Sequence, residues 1–221
     1  MSAKDSDNQE PCGRRHGLRL RLRLRHLLTG LLLFVSLILL LILIIWLVLR
    51  PSKPKLYLQA VSIYQLNVTG CGAAPNLLTA VLQTTLSSRN PNDRVGIYYD
   101  ELRAFAAFKG QRITAAAPLA AGYQGHHDVA VWSPYLYGAC VPLAPYLAAA
   151  LEEARATGLL LVEVEVEGRL RWKVGTWISG HYRLQANCPA FLTVSNRVGN
   201  GAGETPAFRF QQQLSTCTVD V

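Results

Sequence analysis

The 221-residue sequence lacks the short motifs by which catalytic and metal sites are most easily recognised. Its five cysteines form no C-x-x-C or Cys/His ligand spacing, which argues against a zinc site. No serine lies in a G-x-S-x-G turn, and no glycine-rich loop of the phosphate-binding type is present. We therefore expect no enzymatic activity, no cofactor and no metal site.

Charged residues are also scarce, at 16% of the chain, and the net charge of +8 is divided evenly. The first 26 residues carry seven Lys/Arg and three Asp/Glu, and the remainder carries fifteen and eleven. Over a long domain this excess is mild, so we expect no nucleic-acid partner. Over a 26-residue tail the same excess gives a high density of positive charge.

One uncharged apolar run dominates the rest of the chain, from Leu27 to Leu49. Its 23 residues would form a helix of roughly 34 Å, enough to cross a hydrocarbon core of about 30 Å. It is longer than a usual signal-peptide core and no small-x-small cleavage site follows, so we predict an uncleaved signal anchor. The bilayer is thus an expected partner.

Basic residues are concentrated before this run, which favours a cytosolic N-terminus and an exported C-terminal domain. The cluster comprises Arg14, Arg15, Arg19, Arg21, Arg23 and Arg25. Contact with anionic lipid is one interpretation, at about 1 kcal/mol per charge. A role only in setting topology is the favoured alternative, and retention in the endoplasmic reticulum is a third.

The predicted organisation is therefore a cytosolic tail (1–26), a transmembrane segment (27–49), a proline-containing spacer (50–56) and an exported domain (57–221). In that domain, seven or more β-rich segments are separated by turn residues. Leu78 to Leu86 and Val162 to Val174 alternate apolar with other residues most clearly. One helix is predicted over residues 142–157, with Pro145 in its first turn and Gly158 as its cap. The fold class is all-β, an immunoglobulin- or fibronectin-III-like antiparallel sandwich.

If the domain is exported, it can carry two kinds of covalent modification, N-glycosylation and disulfide bonds. Asn67 begins an N-x-T sequon and is expected on the surface near a strand end. Four cysteines follow the span, and they could form two disulfides with three connectivities.

Two further groups of residues invite a chemical interpretation. His126-His127-Asp128 could supply metal ligands, but adjacent strand residues point to opposite faces, so a structural role is favoured. Asp100-Glu101 lies inside a predicted strand, where a structural role is again favoured over acid–base catalysis.

Several longer strings carry a family resemblance. They are NPNDRVGIYYDEL (90–102), YQGHHDVAVWSPYLYG (123–138), GRLRWKVGTWISGHYRLQANCPAF (168–191) and the terminal CTVDV. The chain resembles the plant harpin-induced and non-race-specific disease resistance-like membrane proteins, whose outer part is a late embryogenesis abundant group 2 domain. The motif residues that carry this resemblance are Asn90, Pro91, Asn92, Arg94, Tyr98, Tyr99 and Asp100.

This resemblance implies a single-pass plasma-membrane protein with an apoplastic domain, or one located at plasmodesmata, and a role in defence and the hypersensitive response. Unidentified membrane or apoplastic proteins are the implied partners, and homo- or hetero-oligomers are left open. The resemblance favours a Cys188–Cys217 disulfide. Cys71 and Cys140 depart from the family pattern, and their pairing is a weaker expectation. A desiccation-protective role and a cell-wall glycan-binding module are the alternatives.

Overall fold

The computed structural model describes residues 13–48, 51–68, 76–195, 207–210 and 214–221. The chain falls into two units, one ending at Arg50 and one running from Pro51 to Val221.

The N-terminal unit contains one helix, α1 (Gly13–Val48). The helix begins before the predicted span and includes the leucine–arginine run. Its segment Leu24–Ile44 is long and apolar enough to cross a membrane by length and composition, and its side chains are exposed. A helix of this length and composition is compatible with a membrane anchor.

The second unit is built mainly from antiparallel strands, with one helix, α2 (Pro145–Thr157). In the described part of the chain the strands are β1 (Lys55–Asn67), β2 (Leu77–Arg89), β3 (Val95–Phe108), β4 (Gln111–Arg112), β5 (Ala117–Pro118), β6 (Gly122–Gln124), β7 (Val129–Trp132), β8 (Tyr135–Pro142), β9 (Leu159–Val174), β10 (Trp177–Ile178), β11 (Tyr182–Ser195), β12 (Ala207–Phe210), β13 (Ser215–Thr216) and β14 (Thr218–Asp220).

The strands form a hydrogen-bonded path in the order β4-β3-β9-β11-β12-β1-β2-β7, with shorter strands attached beside it. The path folds over so that β3, β9 and β11 face β1 and β2 across one core. Leu56 and Leu86 from β1 and β2 accordingly line the same small interior gap as Val166 and Leu184 from β9 and β11. The predicted all-β antiparallel architecture is confirmed, whereas the immunoglobulin- or fibronectin-III-like topology stays a prediction.

Strand burial follows the sequence alternation. All five residues of the predicted inner face of β2 are buried: Leu78, Ala80, Leu82, Thr84 and Leu86. Val162, Val164 and Val166 of β9 are also buried, while Glu163, Glu165 and Glu167 lie on its outer face. A strand with one face in a core and one in water is stable only in this register.

Helix α2 begins at Pro145 and ends at Gly158, whose φ of 74° places it in the left-handed region. Proline suits the first turn because its missing N–H has no helical partner there, and glycine adopts the left-handed cap without a Cβ penalty. Leu147, Ala148 and Leu151 are buried and anchor the helix to the core.

Candidate functional site

The first part of the family motif forms a buried hydrogen-bonded clamp. The side chain of Asn90 donates to the carbonyls of Val95 and Gly125, both at 2.8 Å, and accepts from the backbone N–H of Asn92 at 3.1 Å. Asn92 in turn accepts from the N–H of Ser52 at 2.7 Å and donates to its carbonyl at 2.9 Å. The motif therefore fixes the first residues of the β domain to the loop that follows β2.

The second part of the motif contributes Tyr99 to another buried network. Its hydroxyl donates to the side-chain oxygen of Gln124 at 2.9 Å and lies 2.8 Å from the hydroxyl of Ser88. Gln124 also donates to the carbonyls of Ser88 and Asp128. Burial raises the pKa of Tyr99 to about 12, so the phenol stays protonated and its role is structural.

Two motif residues, Tyr98 and Asp100, face outward instead and belong to a surface cluster on β3, β6 and β9. Asp100 accepts two hydrogen bonds from Arg171, at 2.7 and 3.1 Å. The ring of Tyr98 lies 4.7 Å from that of Tyr123, and the ammonium of Lys173 lies 4.8 Å from the Tyr123 ring centre. The remaining motif residues are peripheral, with Pro91 half-buried and Arg94 exposed.

Asp100→Asn is expected to remove part of the acid sensitivity of the fold. The hydrogen bonds from Arg171 hold the pKa of Asp100 below its usual value. Its stabilising contribution is therefore present above the unfolded pKa of about 4 and is lost as pH falls through the lowered folded pKa. The free energy of unfolding, measured from pH 6 to pH 2, should decline less steeply in the variant.

The comparison of wild type with Asp100→Asn also controls for other carboxyl groups that titrate in the same pH range. Burial, then the charges of Glu163 and Glu167, raise the pKa of Glu165, which opposes the Asp100 effect in the same acid region. Because Glu165 is present in both proteins, its contribution cancels in the difference. Parallel pH profiles for wild type and Asp100→Asn would contradict the prediction.

Next to this cluster, β3 bulges outward. Its register against β9 shifts between Asp100 and Arg103, and Glu101 adopts a φ of 53°. Gly168 on β9 permits this close approach, because a Cβ there would lie 2.9 Å from the Cα of Leu102. Bulges of this kind redirect side chains and are over-represented near functional sites.

The bulge borders a surface cleft of about 530 Å³, called here the arginine cleft. Its lining residues are Glu101, Arg103, Glu167, Gly168, Arg169, His181, Tyr182 and Arg183. From the sequence, the charged outer face of β9 could be a binding surface but was favoured as a solvated face. The cleft itself was not predicted, because its residues come from β3, β9 and the start of β11 and meet only through long-range pairing. The change from glutamate to arginine along the outer face of β9 was its visible signal.

The predicted glycosylation residue has the expected position. Asn67 is the last residue of β1 and is exposed. Thr69 of the sequon lies outside the described residues, and glycosylation itself stays a prediction.

The structure contains the Cys188–Cys217 disulfide that the family resemblance favours. Cys140 is also disulfide-bonded. Cys71 lies outside the described residues, so its pairing with Cys140 stays a prediction.

The basic cluster before the span lies within α1. Arg25 is exposed, and the side chains of the other five arginines lie outside the described part of the structure. His127 contacts the carboxylate of Asp93 at 2.5 Å, and Asp128 accepts a hydrogen bond from the N–H of Val129. Within the described ranges, no three His, Cys, Asp or Glu side chains group in a way that could hold a metal ion.

Comparison with known proteins agrees with the sequence resemblance. A family model described as Late embryogenesis abundant protein (LEA_2) matches residues 85–188. NDR1/HIN1-like protein 1 of Arabidopsis thaliana is 43% identical over 80% of this chain and 83% of its own length. NDR1/HIN1-like protein 12 of the same plant is 40% identical over 80% of this chain and 81% of its own. NDR1/HIN1-like protein 26 of that plant is 41% identical over 66% of this chain and 68% of its own length.

A solved structure titled "Crystal structure of protein from Archaeoglobus fulgidus" aligns with 62% of this chain and 98% of its own, at 9% identity and a TM-score of 0.29. A TM-score this low does not establish a shared fold. The sequence relatives do establish kinship, and the predicted family is confirmed. The chain belongs to the NDR1/HIN1-like family and carries its late embryogenesis abundant domain.

Proposed function

We propose that this chain is a single-pass plasma-membrane protein that acts in the response to pathogens by presenting its β domain to partners outside the cell. The observation that carries the proposal is the close kinship with the NDR1/HIN1-like proteins over most of the chain. The apolar segment Leu24–Ile44 is compatible with a membrane anchor. The proposed role is non-enzymatic partner binding.

Charge asymmetry supports the orientation. Seven Lys/Arg precede the apolar run of the sequence, whereas Arg50, Lys53 and Lys55 follow it closely. The more basic flank of a single span usually stays in the cytosol. In the proposed orientation the β domain, Asn67 and the disulfides would lie in the compartment where glycosylation and oxidation occur.

Orientation can be tested by translating the full chain with sealed microsomes. We expect the β domain to be protected from added protease, and Asn67 to receive a glycan that an endoglycosidase removes. An Asn67→Gln variant should lose the glycan and keep the protection. Digestion of the β domain in intact vesicles would contradict the orientation, whatever the state of Asn67.

The defence role requires infection of plants that lack the gene. We expect increased pathogen growth and altered cell death, with both restored by the full chain. A matched complementing variant with the apolar segment deleted should be expressed without restoring either. Unchanged pathogen growth and cell death in plants that lack the gene would reject the defence role.

A stress-protective role is a second candidate, favoured by the family model described as Late embryogenesis abundant protein. The same mutant plants distinguish the two roles. Sensitivity to water loss with a normal response to infection would support protection and oppose the defence role. The ordered, densely hydrogen-bonded β domain favours specific binding over generic hydration.

A further inference from the structure

Several cationic side chains of the arginine cleft are not neutralised by an ion pair with a described residue. Arg103, Arg169 and Arg183 are exposed and form no ion pair with any described residue. Arg171, two residues after Arg169 on β9, by contrast donates two hydrogen bonds to Asp100. The cleft thus holds three guanidinium groups whose hydrogen-bond donors are available to a ligand.

The strand register brings two of these arginines into direct opposition. Arg169 of β9 is the cross-strand partner of Arg183 on β11. Like charges placed opposite each other destabilise a sheet, and an anion between them would relieve that repulsion. On its other side Arg169 is opposite Asp100, whose carboxylate is already bound by Arg171.

The remaining lining residues narrow the class of anion. Glu101 and Glu167 place two carboxylates in the same cleft, which would repel a densely charged polyphosphate. Carboxylates accept hydrogen bonds from hydroxyl groups, whereas the planar arginine fork matches a carboxylate ligand.

From this combination we propose that the arginine cleft binds an oligomer of uronic acid, a sugar chain with one carboxylate per residue and several hydroxyls. Arg169 and Arg183 take the carboxylates, and Glu101 and Glu167 accept sugar hydroxyls. The cleft volume of about 530 Å³ lies within the range of small-ligand sites. Binding of this ligand does not depend on the proposed defence role, so one proposal can be disproved while the other stands.

The test is direct binding of a decamer of galacturonate to the full chain in detergent micelles, measured by calorimetry. We expect saturable binding that weakens at least about tenfold in Arg169→Ala/Arg183→Ala, the size expected for losing charge-assisted hydrogen bonds. The matched control is Arg89→Ala/Arg94→Ala, which removes two exposed arginines outside the cleft and should bind as wild type. Equal weakening in both variants would show bulk attraction and overturn the proposal.

Further probes separate recognition from charge alone. Arg169→Lys/Arg183→Lys keeps the charge but loses the fork, and is expected to bind more weakly than wild type. The methyl-esterified decamer should not bind, because its carboxylates are neutralised. Equal binding of the ester, equal binding of a glutamate decamer, or full binding by the lysine variant would each overturn the proposal. A thermal unfolding temperature at or above that of wild type for each variant verifies that folding is intact.

Discussion

Replacing Asn90 by alanine is expected to lower the free energy of unfolding of the β domain by at least about 3 kcal/mol. Asn90 is fully buried, and its side chain satisfies the carbonyls of Val95 and Gly125 and the backbone N–H of Asn92. Each buried polar group left without a partner costs about 1–3 kcal/mol. The substitution would leave these three groups without that partner, would remove the acceptor of one side-chain N–H of Asn92 at 2.9 Å, and would create a small cavity.

The measurement is denaturant unfolding of the full chain in micelles, followed by tryptophan fluorescence. Asn187→Ala is the matched control, because Asn187 is exposed on β11 and should change stability by less than about 0.5 kcal/mol. Asn90→Asp is a second test. It keeps the acceptor for Asn92, loses both donors and buries a charge, so it should destabilise at least as much as alanine. A loss below about 1 kcal/mol for Asn90→Ala would contradict the clamp.

This clamp changes the interpretation of the family motif. Asn90, Asn92 and Tyr99 were candidates for a functional site on the basis of the resemblance, and all three are buried in hydrogen-bonded networks. Their donors and acceptors are used inside the domain. The residues available to a partner are neighbours such as Tyr98 and Arg169, which share the same strands but face outward.

Sequence reasoning succeeded where one face of an element is buried. In β2 and β9 the period-two alternation decides which residues face the core, and α2 is bounded by its proline and glycine. It failed for β8, where no strand was predicted, because Gly138 and a terminal proline weaken the pattern. Gly138 is required by packing that the sequence does not show, since a Cβ there would clash with the carbonyl of Ile113.

The arginine cleft could not be predicted for a different reason. It depends on a bulge at Glu101, a residue type that rarely adopts a positive φ, and on a glycine 67 positions later in sequence that accommodates it. Local propensity contains no information on such a pairing. The cleft also requires the register that places Arg169 opposite Arg183, and this register is set by the whole β9–β11 ladder.

Removing the Cys188–Cys217 disulfide with a double alanine substitution is expected to cost about 3–4 kcal/mol. The bridge spans 29 residues, and a loop of that size restricts the unfolded chain by this amount in the chain-entropy model. In the folded state it ties the C-terminal segment to β11. That segment also pairs with β1, where the N–H of Cys217 donates to the carbonyl of Leu56 at 3.0 Å.

Substitution is a sharper test than reduction, because Cys140 is disulfide-bonded as well and a reductant would act on it too. Unfolding of Cys188→Ala/Cys217→Ala without reductant isolates the one bridge, and added reductant then reports the contribution of Cys140. The loosened segment should also become sensitive to protease near Ser215, whose hydroxyl donates to the carbonyl of Pro189. A free energy of unfolding for the double alanine variant within about 1 kcal/mol of wild type would contradict the role proposed for the disulfide. It would mean that the strand pairs of β13 and β14 are enough to hold the C-terminal segment.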